Sequence, residues 1–586
     1  MTGSYFADIA TQVLFLVILA NSLNLLLGVA GQMSMATAAF YGVGAYTCAI
    51  MTATGITYGG SEAVGPGWPF WGGFLSAVVV SVFAGFLVAL PAARRVRGDY
   101  LILLTLAFQF LFSTSANTFV SLTGGPNGMA MPPMAIGDFS IDTTDQALVF
   151  FAVVAVLSAL FCSFVARSPF GRLLRGIRED EGVVRALGKT TVLPKSLAFA
   201  LAAGIAGGIG ALAASYMQFV APATYNLDFA VLVAACVALG GPGNILGSTV
   251  AAIVIGSIRP VLQNLGMTST AAIPWESVIF GLLLVLGIRF RPKGFLPENM
   301  RWFGGRTPAA APESHDMPVS SGKKQKLSKI VPENRKPVVE ARNLSKRYGG
   351  LQAVEDFSID LYKGEIVALI GPNGAGKTTI FNLLMDNQRS DTGTIKLNGN
   401  SIFGLGTATI AKTGMVRYFQ GVRAFGNMTA LDNVALAMPH QPGEKLLRLL
   451  TNPLAACAKE KEVRAKAMEL LDFVGIGHLA NSIVQDLPFG QQKLVAFARL
   501  IATGAEVLLL DEPASGVDPR AAEQIIALVQ QLAANGKTIC IVEHSLHIVS
   551  ELADRVVFMN AGKVVADGSI DDVTSRPDLV DLYFGT

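Results

Sequence analysis

The chain has 586 residues, of which 52% are hydrophobic and 15% charged, with a formal net charge of +3; it is too long for one ordinary domain and too apolar for an average soluble protein. That charge makes no case for nucleic-acid binding, because the basic residues cluster where membrane topology would put them. Cys48, Cys162, Cys236, Cys457 and Cys540 are scattered without metal-ligand spacing and read as small, mostly buried apolar residues.

Met1 to Ala93 contains no Lys or Arg. The N-terminus therefore lacks the positive region of a secretory leader, and the first apolar run reads as a retained span. A crossing helix needs about 20 apolar residues. Candidate spans are 9–29, 33–53, 68–90, 101–121, 146–165, 196–219, a glycine-broken region 229–258, and 272–288. Basic residues are costly at a helix centre, so Arg94-Arg95-Val96-Arg97, the stretch from Arg167 to Lys195, and Arg289-Phe-Arg291-Pro-Lys293 are expected in cytoplasmic loops, with the N-terminus outside.

This topology requires an odd number of crossings between the sixth span and Arg289. Region 229–258 is then either two broken pieces split at Gly240-Gly241-Pro242-Gly243, the favoured reading, or a re-entrant element, and broken helices often mark transporter substrate sites. Alternatively these glycines, like Gly28-Val-Ala-Gly31, permit close helix packing. Asp8 and Asp228 sit near span ends and give little support to ion coupling. Residues 301–336, rich in Pro, Ala, Ser, Lys and Glu, are expected to form a flexible linker between a membrane domain over 1–300 and an α/β domain over 337–586.

Within the second domain Glu365-Ile-Val-Ala-Leu-Ile370 reads as a buried strand followed by Gly371-Pro-Asn373-Gly374-Ala-Gly376-Lys377-Thr378-Thr379 and a helix. Such a loop cradles phosphate with backbone N–H groups; Lys377 reaches the β/γ-phosphates and Thr378 ligates Mg²⁺. Val507-Leu-Leu-Leu510 is a second apolar strand, ending in Asp511-Glu512. Asp511 is suited to hold Mg²⁺ through water and Glu512 to polarise the attacking water. A third strand, 538–542, leads to Glu543-His544.

In this order the motifs resemble an ABC-type ATPase over 338–586, which implies ATP and Mg²⁺ as ligands. By that resemblance Tyr348 stacks on adenine, Gln420 senses Mg²⁺ and the water, Asp518 lies at a dimer seam and His544 contacts the γ-phosphate. The family signature Leu-Ser-Gly-Gly-Gln appears here as Leu487-Pro488-Phe489-Gly490-Gln491. Proline supplies neither hydroxyl nor N–H. Any site that this departure weakens is therefore expected to be the one on the partner subunit, with this chain's own hydrolytic residues left competent. His315, His440, His478 and His547 have no comparable context and read as structural or solvated.

Asn24 to Tyr46, Thr123-Gly-Gly-Pro-Asn-Gly128, Arg172 to Gly188, Leu239 to Gly247 and Phe290-Arg-Pro-Lys-Gly294 resemble permeases of branched-chain amino acid ABC importers. Gly414-Met-Val-Arg-Tyr-Phe-Gln420 and the short C-terminal tail resemble the ATPase of the same system. The fold expected is thus multidomain: an N-terminal polytopic α-helical membrane domain followed by an α/β P-loop ABC-type ATPase domain. Arg172 to Gly188, charged and with apolar residues at helical spacing, is the candidate coupling helix, docking near Gln420. The resemblance implies a bacterial inner-membrane, multi-pass importer with its ATPase in the cytoplasm. Its partners would be a second permease and a second ATPase subunit, or a second copy of this chain, and a periplasmic or lipoprotein solute-binding protein. A small-molecule solute and membrane lipid complete the set. Rival readings are an importer of urea, short amides or aromatic acids, an exporter, and a membrane-anchored regulatory ATPase.

Overall fold

Long apolar runs become helices in the first half of the chain, and short, fully buried runs become strands in the second. The structure, a computed structural model, describes residues 2–53, 56–58, 61–63, 65–95, 98–136, 139–140, 143–298 and 336–576. The linker expected over 301–336 lies outside these residues apart from Lys336, as do Val96, Arg97, His315 and the tail 577–586. The described residues form two units: one holds 2–178, 191–298 and Glu444–Leu450, the other Glu179–Thr190, 336–443 and 451–576.

In the first unit, 6 helices among the described residues are long and apolar enough to cross a membrane: Tyr5–Val29, Phe70–Pro91, Tyr100–Thr118, Thr144–Arg167, Val192–Met217 and Ile245–Asn264. The first and fifth are buried along most of their length, whereas only a minor part of the second, third and fourth is buried. Small residues make the buried pair possible, since they let backbones approach closely. A Cβ on Gly210 would lie 2.0 Å from the Tyr41 carbonyl oxygen, and one on Gly44 2.0 Å from that of Gly207. Asp8 lies at the edge of this bundle, its carboxylate accepting from the Tyr216 hydroxyl at 2.8 Å and the Gln12 amide at 3.1 Å.

Of the two spans interrupted by glycine, the one at 33–53 differs from expectation and the one at 229–258 is broken where expected. The span at 33–53 is a helix of only 16 residues, Thr37–Thr52, about 24 Å long. Gly31 takes φ +67° before it, and the residues to Ala36 stay non-helical. Region 229–258 is broken into Leu227–Gly240 and Ile245–Gly256, with the Asn244 side chain accepting from Gly247 N at 3.1 Å to cap the second piece. The glycines flanking the break pack the pieces together: a Cβ on Gly240 would sit 2.4 Å from the Gly247 oxygen, and one on Gly247 2.1 Å from the Gly240 oxygen. The last helix of the unit, Ser269–Phe290, returns the chain so that Phe295 N donates to Leu239 O at 2.7 Å.

The first helix is itself irregular. Thr2–Asn24 runs into a π-helical turn, Leu25–Val29. Asn24 serves the broken region from this turn, accepting from Gly243 N at 2.8 Å and donating to Asn244 O at 2.8 Å and to Ser248 Oγ at 3.0 Å. A Cβ on Gly28 would meet both Asn24 Oδ1 and Gly243 N at 2.0 Å, so this glycine too permits close packing. The Gly28 carbonyl accepts from the Arg178 guanidinium, which also pairs with Glu298 at 2.7 Å.

In the second unit, strands β1 (Val339–Tyr348), β2 (Leu351–Leu361) and β4 (Thr392–Leu397) form an antiparallel sheet with the short strand Asn400–Ser401, in the order Asn400–Ser401, β4, β1, β2. The larger sheet contains β3 (Ile366–Ile370), β5 (Met415–Tyr418), β6 (Val507–Asp511), β7 (Thr538–Val542), β8 (Arg555–Asn560) and β9 (Lys563–Gly568). Its order is β5-β6-β7-β3-β8-β9, parallel except for the final pair. Every residue of β3, β5, β6 and β7 is buried, as a parallel sheet covered on both faces requires.

The segment Glu179–Thr190 is built into this unit. The single helix expected over 172–188 is two, Pro169–Glu179 and Glu181–Ala186, because Asp180 takes an extended backbone and its side chain accepts from Val183 N at 3.0 Å. Asp180 is thus an N-cap that restarts the helix. Glu179 accepts from Asn427 N at 3.1 and 3.3 Å, and Lys189 Nζ donates to Met438 O at 2.7 Å. Val183, Ala186 and Leu187 line a small cavity with Arg417, Phe419, Arg423 and Arg499, close to Gln420 in sequence.

Candidate functional site

Four neighbouring parallel strands, β5, β6, β7 and β3, deliver their carboxyl ends to one edge of the larger sheet. This is where open α/β sheets bind ligands. From β3 comes the glycine loop, from β5 Gln420, from β6 Asp511-Glu512 and from β7 Glu543-His544.

In the glycine loop, Gly371, Gly374 and Gly376 adopt φ values of +148°, +83° and +100°, a region side chains disfavour. Two are also crowded: a Cβ on Gly371 would lie 2.0 Å from the Met559 oxygen, and one on Gly376 2.5 Å from the Ala353 oxygen. Gly374 faces open space, with nothing within 4 Å of a Cβ placed there, and Asn373 beside it is exposed. Lys377 begins the helix Lys377–Leu384 and is buried, donating to Gly371 O at 2.6 Å and Pro372 O at 2.9 Å. Burial lowers its pKa, opposed by the charges of Glu512 and Asp511. Thr378 is exposed and Thr379 partly so.

Asp511 is 1% exposed and forms an ion pair with Arg417 at 2.5 Å. Burial raises its pKa, with Arg417 opposing. Its Oδ1 is buried and has no partner among the described residues. Glu512 occupies φ +47°, unusual for a residue with a side chain, and donates its backbone N–H to Val542 O at 2.9 Å. Its Oε1 lies 2.9 Å from His544 Nε2. The two residues expected to handle water and γ-phosphate are therefore in contact. Gln420 is exposed just past β5. Tyr348 closes β1 half-exposed, its hydroxyl donating to Gln388 and its ring 5.7 Å from Lys346 Nζ.

The remaining expected residues form a separate group. Leu487 is buried, Gly490 and Gln491 are partly exposed in the first turn of the helix Phe489–Ala502, and Asp518 caps the helix Pro519–Ala534 by accepting from Ala521 N at 3.1 Å. A Cβ on Gly490 would lie 3.6 Å from Asp518 Oδ2, and Phe489 packs 3.5 Å from one on Gly516.

Sequence reasoning passed over three residues. Arg417, alone among apolar neighbours in β5, holds Asp511. Lys493, almost fully buried, donates to the carbonyls of Pro513 at 3.0 Å and of Ser515, tying the signature helix to the loop after Asp511-Glu512. Glu543, also buried, accepts from Ala514 N at 3.2 Å and His544 N at 3.3 Å. The usable signal was a charge inside or directly abutting an apolar element, which demands a partner when buried.

These residues fit a magnesium nucleotide. The loop has glycine-only backbone and an open face for phosphate, and the unpaired Asp511 oxygen is an acceptor suited to a hydrated cation.

Residues 5–288 match the family model described as branched-chain amino acid transport system / permease component, and residues 354–515 the model described as ABC transporter. The high-affinity branched-chain amino acid transport ATP-binding protein BraF of Pseudomonas aeruginosa is 35% identical over 251 residues, covering 43% of this chain and 98% of that protein. The corresponding LivG of Salmonella typhimurium is 36% identical over 250 residues, 42% of this chain and 98% of the relative. Among solved structures, a nucleotide-free ATP-binding cassette from an ABC transporter has 32% identity and covers 43% of this chain and 100% of its own, with a TM-score of 0.38.

Proposed function

Since this chain belongs to the ABC transporters of branched-chain amino acids, joining a permease domain and an ATPase domain in one polypeptide, we propose that it uses ATP hydrolysis to import branched-chain or related hydrophobic amino acids across the bacterial inner membrane, its ATPase domain lying in the cytoplasm. The observation that carries the reading is the meeting of Lys377, Asp511 and the Glu512–His544 contact at one sheet edge, in a chain whose other half is a bundle of apolar helices.

The residues divide the work. The glycine loop and Lys377 bind the phosphates, Thr379 extends that cradle, and Tyr348 stacks on the base. Mg²⁺, when bound, supplies charge neutralisation at the transferring phosphoryl group, and Thr378, Gln420 and Asp511 would hold it. Glu512 polarises the attacking water while His544, in contact with the Glu512 carboxylate, meets the γ-phosphate. Leu487, Gly490, Gln491 and Asp518 face the nucleotide of a second ATPase domain. Moving a two-state permease from 1:99 to 99:1 takes about 5.5 kcal/mol of differential binding, which ATP contacts present only in a closed pair of ATPase domains can supply.

One permease and one ATPase per chain imply an assembly with a second of each, or with a second copy, and a solute-binding protein to deliver substrate. The test is accumulation of labelled leucine by vesicles holding the assembled complex and binding protein. Uptake should require ATP and vanish in Lys377→Ala. Accumulation of urea or benzoate in place of leucine, or leucine uptake that survives Lys377→Ala in every copy, would overturn the proposal.

A further inference from the structure

Asp511 is held from behind. Arg417 lies on β5, in register with Leu509 of β6. Side chains alternate along a strand, so Arg417, Leu509 and Asp511 share one face of the sheet, and the long Arg417 side chain reaches forward to the carboxylate. One arm of its guanidinium donates to Asp511 Oδ2 at 2.5 Å and the other to Asn382 Oδ1 at 2.5 Å. Its cationic centre lies 5.5 Å from the Phe381 ring and 5.1 Å from the Phe419 ring. Phe381 and Asn382 belong to the helix that Lys377 begins; Phe419 immediately precedes Gln420.

Two consequences follow from this clamp. With Oδ2 occupied, Asp511 is left a fixed orientation in which Oδ1 alone is unpartnered among the described residues. Arg417 also lines the small cavity that Val183, Ala186 and Leu187 line, with Phe419 and Arg423 beside it. Asp180 pairs with Arg423 at 3.7 Å, and Arg423 lies 4.9 Å from the Phe419 ring. A displacement of Glu181–Ala186 is thus felt by the aromatic ring that flanks Arg417.

We propose that Arg417 is the positioning residue of the Mg²⁺ carboxylate, orienting Asp511 according to whether Glu179–Thr190 fills its groove. The inference builds on the reading of Asp511 as the residue that holds the cation. Outer partners of metal-binding carboxylates commonly set metal affinity by about 10–100-fold, and here that partner also belongs to the groove.

The test uses the full chain in detergent with Mn²⁺ as probe, its binding in the presence of ADP followed by electron paramagnetic resonance. Affinity for ADP is measured separately in chelator. Arg417→Met should weaken Mn²⁺ about 10–100-fold while leaving ADP affinity in chelator unchanged, and Arg417→Lys should recover part of the loss. Val183→Asp, which expels the segment, should weaken Mn²⁺ in the native background and have no further effect in Arg417→Met. Thermal melting reports folding, and Arg417→Lys alone decides the matter if Arg417→Met does not fold. Unchanged Mn²⁺ affinity in folded Arg417 variants, when Asp511→Asn abolishes it, overturns the proposal. Full additivity of Val183→Asp and Arg417→Met removes the link to the groove. Mn²⁺ binding that is indifferent to Asp511→Asn instead removes the assignment of Asp511, a separate failure.

Discussion

His544 Nε2 and Glu512 Oε1 are 2.9 Å apart although their strands lie side by side from distant parts of the sequence. Glu512 reaches this position from a left-handed backbone, anchored by its N–H to Val542 on the strand that carries His544. If Glu512 polarises water, Glu512→Gln lowers ATP turnover of the assembled complex by about a hundredfold or more and leaves nucleotide binding intact. Phosphate release by the purified complex checks this, and undiminished turnover would falsify the assignment.

Pro488 precedes the helix Phe489–Ala502 and offers it no side-chain cap. Pro488→Ser supplies a hydroxyl that can accept from the first turn, a gain of about 1 kcal/mol, and restores the group that the signature presents to a second nucleotide. Higher melting temperature and faster turnover by the complex are expected. A stabilised variant with unaltered turnover would mean that the missing hydroxyl does not limit the partner's site.

Burial raises the pKa of the Glu543 carboxyl. The folded state therefore holds this proton more tightly than the unfolded chain, so the stability contributed by Glu543 is full below the unfolded carboxylate value and declines as pH rises through the raised folded value. Glu543→Gln cannot follow this course. Its melting temperature relative to the native protein should climb from about pH 4 to about pH 8; a constant difference across that range contradicts the assignment.

At the break between Leu227–Gly240 and Ile245–Gly256, a methyl group on Gly240 would meet backbone at 2.4 Å, whereas one on Gly281 meets nothing within 4 Å. Gly240→Ala should destabilise the membrane unit by about 1–3 kcal/mol and reduce uptake, with Gly281→Ala as the harmless control. Melting of both variants in detergent compares them directly, and equal melting points would show that the close approach carries no strain.

Much of this was legible in the sequence because the decisive signals are local. Ile366–Ile370, Val507–Asp511 and Thr538–Val542 are continuous apolar runs, and a strand buried on both faces has no other way to look. The glycine loop announces itself because its backbone conformations exclude other residues. The Arg417–Asp511 pair joins residues 94 positions apart, and no local pattern encodes which buried arginine meets which carboxylate. The shortened second span was hidden for a related reason: hydropathy registers apolar residues around Gln32–Ala36 whether or not Gly31 lets the helix begin there. The break at Asp180 had a readable sign, a capping residue inside an otherwise helical stretch, but amphipathic spacing on either side masked it.

The wide turn at Leu25–Val29 contains one residue more than an α-helical turn. Each helical residue advances the azimuth by about 100°, so the surplus residue turns the last residues of the helix out of phase with those before them. The opening helix therefore ends on this widened turn, since the chain from Gly31 to Ala36 is non-helical. Asn21 and Asn24, before the turn, aim at Ser248 and Thr249, and the Arg178 guanidinium satisfies the Gly28 carbonyl within it.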